Sequence, residues 1–482
     1  MISTPAHPWY LPACVAGTVL VLLVLIIRVR LHAALALMIA ALSLGLASGM
    51  PVAQVPMAFT TGVGNLMGHI AIILGLGAVL GALLARSGGA AALGGFLVDM
   101  FGARGVPWAM LVLGIVVGMP VFFEVGLILM LPLAVAAAER SGRPPMLVAM
   151  PLLAGLSIMH STVPPHPGAV LAAATFHADW GRTIFFGLLA GIPAAVVAGP
   201  LLGWIYLRRW EKRAHREQGT GIASRASSAN GPATARGTIA GAPAIDDSPD
   251  AKGTVPPPAG PARAAFAILF PIALIFLGSW ADTLCPPSSP LNRALHFAGY
   301  PDVALLIAVL AALFTLGPRI QTERHHGREL LRKLTAESFA PIANSIVILS
   351  AAGGLSGILR ESGAAQATVG LAVGAHMPPL VLAWLLAAVV RISMGSATVA
   401  TAVASGVLAP LAGTSGIRPE LLVLATGSGS LILSHVNDSG FWLVQSLFNV
   451  PPKQTLATWS VLETVLSVAG LGFTLLLAGL LR

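Results

Sequence analysis

The sequence predicts an all-α polytopic membrane protein with two inverted repeats, each with about five transmembrane helices and one re-entrant hairpin, and with broken helices at the midplane. Three observations predict this fold: the apolar composition, the position of the basic loops and an internal repeat. Of the 482 residues, 56% are hydrophobic and 9% are charged, and the mean hydropathy is +0.86. At about 20 residues per span, these apolar residues suffice for roughly 13 helices. A soluble multidomain enzyme is therefore excluded.

The basic residues are concentrated in two loops. Of a net charge of +9, residues 208–263 supply nine basic against five acidic residues, and residues 319–337 supply five against three. Basic loops of this kind are typical of the cytoplasmic side of a multi-pass membrane protein. The high net charge therefore indicates membrane orientation, and no nucleic-acid partner is expected. The two cysteines, Cys14 and Cys285, form neither a metal motif nor a disulfide framework.

Apolar runs in the first half predict five crossings and one hairpin. The segments are, in order, 11–27, 31–49, 62–85, the interrupted segment 107–138, 145–176 and 183–206. The interrupted segment has basic residues at both ends, so we expect it to enter and leave on the cytoplasmic side as a re-entrant hairpin. The short basic turn after the first segment places the N-terminus outside.

A long polar stretch divides the chain. Residues 217–262 are rich in Gly, Ala, Ser, Pro and Thr and contain almost no large apolar residues, so they cannot bury a core. The sequence therefore predicts a first transmembrane repeat at 1–206, a disordered basic cytoplasmic linker at 207–262 and a second, inverted repeat at 263–482. With this arrangement both termini lie in the periplasm.

The two halves contain matching sequences in the same order. The Gly- and Ala-rich segment 73–90 aligns with 348–365. Further along, His160 stands 15 residues after a proline in the first half, and His435 stands 16 residues after a proline in the second. Inverted repeats with broken helices are typical of secondary transporters that bind their substrate near the membrane midplane.

Two acidic residues, Glu124 and Asp438, stand inside long apolar segments beside a helix break. An ionised carboxylate at membrane depth costs at least about 2.5 kcal/mol, so each needs a partner or a function. We predict that both contact the substrate and that one of them carries the coupling proton; a structural ion pair or a helix cap is the alternative. Glu463 lies closer to a loop, and we expect it to reach the membrane interface as a structural residue.

Two polar breaks interrupt predicted helices. Three prolines between 164 and 167 cannot continue a helix, and the helix that restarts near Gly168 should direct unpaired N–H groups toward a carboxylate. The second break, at 434–440, is rich in capping residues. The predicted binding residues in the breaks are His160, Ser161, His166, Gly168, Ser434, His435, Asn437, Asp438 and Ser439. The three histidines either carry protons or are hydrogen-bonded structural residues.

A second hairpin is predicted at 378–412. Its small hydroxylated residues Ser393, Ser396 and Thr398 either donate hydrogen bonds to a ligand or satisfy backbone groups freed at the turn. Arg391 is either a substrate counter-ion or a cap at the edge of this hairpin. No metal-ligand pattern and no phosphate-binding loop occurs in the sequence, so an ion gradient, not ATP, should supply the energy.

At these breaks the sequence resembles the gluconate permease family of proton symporters, part of the ion transporter superfamily. The strings that carry the resemblance are 118–132, 160–168, 176–179, 391–401 and 434–442. The resemblance implies proton-coupled uptake of a sugar acid such as gluconate across the bacterial inner membrane. It implies no enzymatic activity and no cofactor, with protons as the coupling ion.

The resemblance also implies which residues form the site. It places Glu124, the first break, the tip of the second hairpin and the second break around an anionic small molecule. Members of the family also carry D-serine and other sugar acids, and a sodium-coupled carboxylate carrier shares the architecture, so these alternatives stay open. Dimers or trimers are common in the family, which makes a homo-oligomer a further expectation beside the lipid bilayer as a partner.

Overall fold

The computed structural model describes residues 9–141, 143–208, 259–317, 327–374, 377–414, 416–435 and 438–481. Every regular element in these ranges is helical, which confirms the predicted all-α fold. Almost all of the predicted linker at 207–262, and Asn437 in the second break, lie outside the described residues.

The helices fall into two series on either side of the linker. The first series is α1 (Tyr10–Ile27), α2 (Ala33–Ala47), α3 (Gln54–Arg86), α4 (Gly89–Gly118), α5 (Phe123–Ser141), α6 (Pro145–Thr162), α7 (Pro167–Phe176) and α8 (Trp180–Arg208). The second is α9 (Pro261–Ser279), α10 (Pro290–Gly299), α11 (Pro301–Thr315), α12 (Gly327–Glu337), α13 (Ala340–Glu361), α14 (Ala364–Gly374), α15 (Pro379–Met394), α16 (Ala397–Leu408), α17 (Pro419–Gly429), α18 (Ser439–Leu447) and α19 (Pro452–Leu480).

Several of these helices match the length of a membrane span. In the described part of the chain, 6 helices are long and apolar enough to cross a membrane, and the bent pair α10 and α11, with an angle of 77°, makes a seventh. Shorter apolar helices include most of α1, α2, the two parts of α4 on either side of Gly102–Gly105, and both arms of the second predicted hairpin. The chain is thus a multi-pass membrane protein, with the other predicted crossings on shorter or broken helices.

Both predicted hairpins are helix–turn–helix pairs in the structure. In the first, α4 is kinked at Gly102, where φ is 64° and ψ is 179°, a conformation that only glycine adopts readily. Helix α4 packs against α5. In the second, α15 ends at Gly395 with φ 75°, and α16 starts two residues later. Glycine in this left-handed conformation is a common end of a helix.

The two halves use these pairs in the same way. The first arm of each hairpin packs against the first helix of the broken pair: α4 against α6, and α15 against α17. Glycine permits the close approach, since a Cβ on Gly114 would lie 2.4 Å from the Leu152 carbonyl oxygen, and one on Gly429 would lie 2.3 Å from the Trp384 carbonyl oxygen. The second arm of each hairpin packs against the second helix of the broken pair in the other half: α16 against α7, and α5 against α18. The inversion of one half relative to the other stays a prediction.

Helices α3 and α13, which contain the matching segments of the two halves, pack against each other. A Cβ on Gly62 of α3 would lie 2.3 Å from the carbonyl oxygen of Gly353 on α13, and one on Gly357 would lie 2.4 Å from the carbonyl oxygen of Ala58. The Gly353-xxx-Gly357 spacing therefore brings two backbones into contact, as small residues do between membrane helices. This contact joins the two halves.

Candidate functional site

A cavity of about 100 Å³ lies where the two helix breaks meet the two hairpin turns. Each half contributes one hairpin turn and one end of a broken helix, and α19 closes one side. The lining residues are Phe123, Glu124, Ser157, His160, Arg391, Gly395, Ser396, Ala397, Thr398, Leu431, Asp438, Ser439, Gly440, Trp459 and Glu463. The structure thus brings together residues that are distant in the sequence and that the predicted site contains.

Three helices begin at this cavity. The first residues of α5, α16 and α18 are Phe123, Ala397 and Ser439, and all three line it. The N–H groups of a first helical turn have no partner within the helix, and they form the positive end of the helix dipole. Convergent helix N-termini suit an anion such as a carboxylate.

A buried ion pair lies on the wall of the cavity. Nη2 of Arg391 donates to Oδ2 of Asp438 over 2.6 Å, and the two side chains are 4% and 10% exposed. Nη1 of Arg391 donates to the carbonyl oxygen of Gly395 at the hairpin turn. Nε of Arg391 is buried and has no hydrogen-bond partner among the described residues. Arg391 therefore caps its hairpin, and one of its donors is still available.

Asp438 has further hydrogen-bond partners within the second break. Its Oδ1 accepts from the backbone N–H of Gly440 over 2.9 Å, which caps α18, and its Oδ2 accepts from the hydroxyl of Ser434. Nε1 of Trp459 donates to the Ser434 hydroxyl over 2.7 Å. Ser434 and Asp438 thus hold the break against α19, and the ion-pair alternative for Asp438 describes its geometry.

Two histidines occupy the first break. His160 is in the last turn of α6 and lines the cavity, and its Nδ1 lies 3.3 Å from Nδ1 of His166. His166 precedes α7, is 3% exposed and bonds the carbonyl oxygen of Gly118 through Nε2. The ring of His166 also packs edge-on against Phe122. His166 therefore ties the first break to the turn of the first hairpin.

Other predicted residues lie on the cavity wall or at its edge. Glu124, in the first turn of α5, and Ser439 are exposed and line the cavity, and the half-buried Thr398 lines it with them. Ser396 also lines the cavity, and its hydroxyl accepts from the N–H of Val399 to cap α16.

Gly168 has a packing role. A Cβ on Gly168 would lie 3.4 Å from the Thr401 hydroxyl and 3.7 Å from Cα of Thr398. Helices α7 and α16 are therefore in close contact at this point. The glycine allows this contact directly beside the cavity.

Six of the predicted residues that the structure describes do not line the cavity. They are His166, Gly168 and Ser434, whose contacts are given above, and Ser161, Ser393 and His435. The hydroxyls of Ser161 and Ser393 bond carbonyl oxygens of their own helices, Ile158 over 3.1 Å and Val389 over 2.8 Å. His435 is half-buried, and its Nδ1 has no hydrogen-bond partner among the described residues. For Ser393, the structure shows the local backbone bonding that the sequence left open as the alternative.

The position of Glu463 differs from the one that its sequence suggests. It is 1% exposed and lines the cavity from α19, so the expectation that it reaches the membrane interface is wrong. Its nearest loop is close in the sequence, but the side chain is on the face of α19 that packs inward. The cost of burying a carboxylate in an apolar segment, which singled out Glu124 and Asp438, applies equally to Glu463.

A second, larger cavity of about 590 Å³ lies between α3, α7, α13 and α16. It is lined by the C-terminal ends of α7 and α16, with His177 and Pro410, and by Arg360 at the end of α13. The N-terminal ends of the same two helices lie at or beside the smaller cavity. The two cavities are therefore aligned along α7 and α16, with the Gly168 contact between them.

Comparisons with known proteins find relatives over nearly the whole length of the chain. A family model described as "GntP family permease" matches residues 10–240 and 249–480. The chain is 41% identical to "Gluconate permease" of Pseudomonas aeruginosa, over 98% of each chain. It is 34% identical to the "Gnt-II system L-idonate transporter" of Escherichia coli, over 95% of this chain and 96% of that one.

A solved structure shares the fold. The structure of MtrF from Neisseria gonorrhoeae, described as one of a class of antimetabolite efflux pumps, superimposes with a TM-score of 0.61 over 99% of this chain and 96% of that chain. The sequences are 17% identical. At this identity the similarity concerns the fold alone.

Proposed function

We propose that this chain, which belongs to the GntP family of permeases, takes up a sugar acid such as gluconate together with protons. Family membership makes it a multi-pass transporter of the inner membrane and not an enzyme. Its similarity to a gluconate permease extends over nearly the whole length of both proteins. This similarity supports gluconate as the substrate.

One observation carries the proposal: three helix N-termini and Arg391, whose Nε has no hydrogen-bond partner among the described residues, meet at one cavity. A sugar acid has a carboxylate at one end and hydroxyl groups along its chain. Helix N-termini and a guanidinium both stabilise a carboxylate. The carboxylate of the substrate would therefore bind beside Arg391 and the first turn of α16.

The hydroxyl groups of the substrate would be recognised by polar side chains on the remaining wall. Ser396, Thr398, Ser439 and Ser157 line the cavity and can donate or accept. Asn437, which the sequence predicts as a further binding residue, lies outside the described residues. A site that hydrogen-bonds substrate hydroxyls discriminates strongly against analogues that lack them.

The larger cavity would serve as the route to this site. It lies along α7 and α16, the helices whose close contact at Gly168 separates the two cavities. Separation of α7 from α16 would open the route. Movement of one bundle against the other around a fixed site is the usual mechanism in transporters built from inverted repeats.

Proton coupling, membrane orientation and assembly belong to the same proposal. Glu124 and Asp438 are the carboxylates that sequence analysis assigns to the coupling proton, and both line the cavity. The positions of the basic loops support the proposed orientation. In it, the linker at 207–262 is cytoplasmic, it joins the first repeat to the inverted second repeat, and both termini are periplasmic. A homo-oligomer in the bilayer is the expected assembly of the family.

Uptake into proteoliposomes tests the proposed function. Labelled gluconate should accumulate, with saturation, when the outside is acidic relative to the inside, and sodium should make no difference. Protein-free liposomes are the control, and unlabelled L-idonate and D-serine serve as competitors. Gluconate accumulation that requires sodium would contradict the proposal. Uptake of L-idonate or D-serine by a protein that does not take up gluconate would also contradict it.

A further inference from the structure

We infer that Glu463 carries the proton that is coupled to substrate uptake, with Arg391 as the link between the proton and the anion. This inference rests on the proposed function and assigns its coupling proton to Glu463 in place of Glu124 or Asp438. Four observations support it: the burial of Glu463, its unpartnered oxygen, its place on the cavity wall and the surrounding charges.

Glu463 is buried in the protein but faces the cavity. Its side chain is 1% exposed, and its Oε1 has no hydrogen-bond partner among the described residues. Ser157 of α6 lines the cavity with it. A buried ionised carboxylate without a cation of its own is costly, whereas a protonated carboxyl group is neutral and can donate its proton. A proton carrier needs both a site for the proton and a route for its release, and the cavity offers the route.

The charged and titratable groups that face Glu463 come from several helices. On the described wall of the cavity they are Glu124 of α5, His160 of α6, Arg391 of α15 and Asp438 before α18. Arg391 is the only Arg or Lys side chain in this lining, against the carboxyl groups of Glu124, Asp438 and Glu463. Asp438 already neutralises Arg391 through the 2.6 Å ion pair. An additional anion therefore enters more easily when another carboxyl group in the cavity is protonated.

Asp438 is less suited to carry the proton. Its two oxygens accept from Arg391, Ser434 and the N–H of Gly440, and three donors stabilise the ionised form. Protonation would weaken the ion pair and remove the cap of α18. Glu463, in contrast, can gain and lose a proton without loss of a helix cap.

These charges couple the proton to the substrate. With Glu463 protonated, the positive field of Arg391 and the helix N-termini is available to the substrate carboxylate. With Glu463 ionised, its carboxylate competes for the same field and repels the substrate. The O–H bond of Glu463 breaks when the site opens to the alkaline side, the proton leaves to water there, and the substrate is released. Because linkage is reciprocal, the proton raises substrate affinity as much as the substrate raises proton affinity.

The test compares Glu463→Gln with Glu420→Gln in proteoliposomes that contain the full chain. Glu420 is a matched control, because it is also a buried glutamate, 5% exposed, but does not line this cavity. Glutamine mimics the protonated carboxyl group permanently. We expect Glu463→Gln to exchange external labelled gluconate for internal unlabelled gluconate, but to lose accumulation driven by a pH gradient. Glu420→Gln should keep both activities.

A binding measurement gives a second readout. In the wild type, coupling to one proton predicts that gluconate affinity falls about tenfold per pH unit above the titration of the carrier. Glu463→Gln should remove this slope and keep the affinity measured at acidic pH. Gradient-driven accumulation by Glu463→Gln at the wild-type level, or an unchanged slope, would overturn the inference. If Glu463→Gln neither exchanges nor binds gluconate, the test uses Glu463→Asp, which keeps a carboxyl group that can be protonated. Gluconate accumulation driven by a pH gradient in Glu463→Asp supports the inference. Its absence overturns the inference.

The outcome for the wild type separates this inference from the proposed function. No transport of any sugar acid by the wild type contradicts the proposed function itself. Wild-type uptake together with unaltered coupling in Glu463→Gln contradicts only the assignment of the proton to Glu463.

Discussion

The two helix breaks lie on the same cavity but are built from different chemistry. The first, between α6 and α7, contains three prolines and a pair of histidines that bond each other and a backbone carbonyl. The second, between α17 and α18, contains the ion pair of Arg391 and Asp438 and the hydrogen bonds of Ser434. One break is built around prolines, and the other around charge.

The two breaks differ in how many backbone N–H groups are left in need of a hydrogen-bond partner. Proline has no N–H group, so a break made of prolines leaves fewer donors to be satisfied. The second break has no proline between 430 and 438, and its freed backbone groups need side-chain partners. Asp438 supplies one by capping α18, and its charge in turn needs Arg391. We therefore assign recognition of the substrate charge to the second break and the shape of the site to the first.

The largest predicted effect is that of Asp438→Asn. This variant leaves Arg391 buried without its counter-ion, and breaking a buried pair in this way costs about 3–5 kcal/mol. Gluconate uptake should fall below detection, and the unfolding temperature of the purified protein should fall clearly. Wild-type uptake and stability in this variant would show that the second break does not depend on charge.

A smaller effect is predicted for His166→Ala in the first break. The variant loses the bond to the Gly118 carbonyl and the contact with His160, and an unsatisfied buried group costs about 1–3 kcal/mol. Uptake should fall about tenfold, which is within this range of energies, but should remain measurable. His296→Ala, in an exposed pair, is the control. A complete loss in His166→Ala, equal to that in Asp438→Asn, would contradict the proposed division between the breaks.

Trp459→Phe tests the support of the second break by α19. The change removes the 2.7 Å hydrogen bond from the indole to Ser434 but keeps an aromatic ring against Phe123. One such bond contributes about 1 kcal/mol, so initial uptake rates should fall about fivefold. Trp108→Phe, at an exposed position, should leave the rate unchanged. Equal rates in the two variants would show that Ser434 is held without Trp459.

The smallest effect is predicted for Asp282→Asn, an exposed counterpart of the buried pair. Hydrogen bonds from His296 and Asn292 lower the pKa of Asp282. A lowered pKa in the folded state stabilises the protein at neutral pH, and this contribution is lost as the pH falls through that pKa. Uptake should equal that of the wild type, and any difference in unfolding temperature should be present at pH 7 and vanish under acidic conditions. A loss of uptake like that in Asp438→Asn would show that removal of any paired carboxylate, buried or exposed, is enough to abolish uptake.

The sequence predicted the helix breaks and hairpin turns because proline and glycine determine local backbone geometry. The turn at Gly395 and the break at Pro164 to Pro167 both lie where these residues stand. The convergence of Glu124, Asp438 and the hairpin tip on one cavity agrees with the predicted grouping, although their roles stay predictions. Local signals of this kind carry over directly from sequence to structure.

The sequence does not show which residues of different helices face each other when the helices are apolar on most sides. The partner of Asp438 in the second break is Arg391, 47 residues away on the second hairpin, and no local pattern connects them. The position of Glu463 does have a signal in the sequence. Glu463, Ser467 and Thr474 recur at helical spacing on α19 and all three are buried, so this polar face indicates the side that packs inward. The packing of α19 against the breaks then places Glu463 on the cavity wall.

The most direct test of the central claim is gluconate binding to the Arg391→Gln/Asp438→Asn double variant. Since both charges are removed, no unpaired charge stays buried, and the unfolding temperature should remain close to that of the wild type. If Arg391 binds the substrate carboxylate, the loss of a charged hydrogen bond of about 1.5–3 kcal/mol should weaken binding about 10- to 100-fold. A folded double variant that binds gluconate with the wild-type Kd would contradict the assignment of anion recognition to the second break.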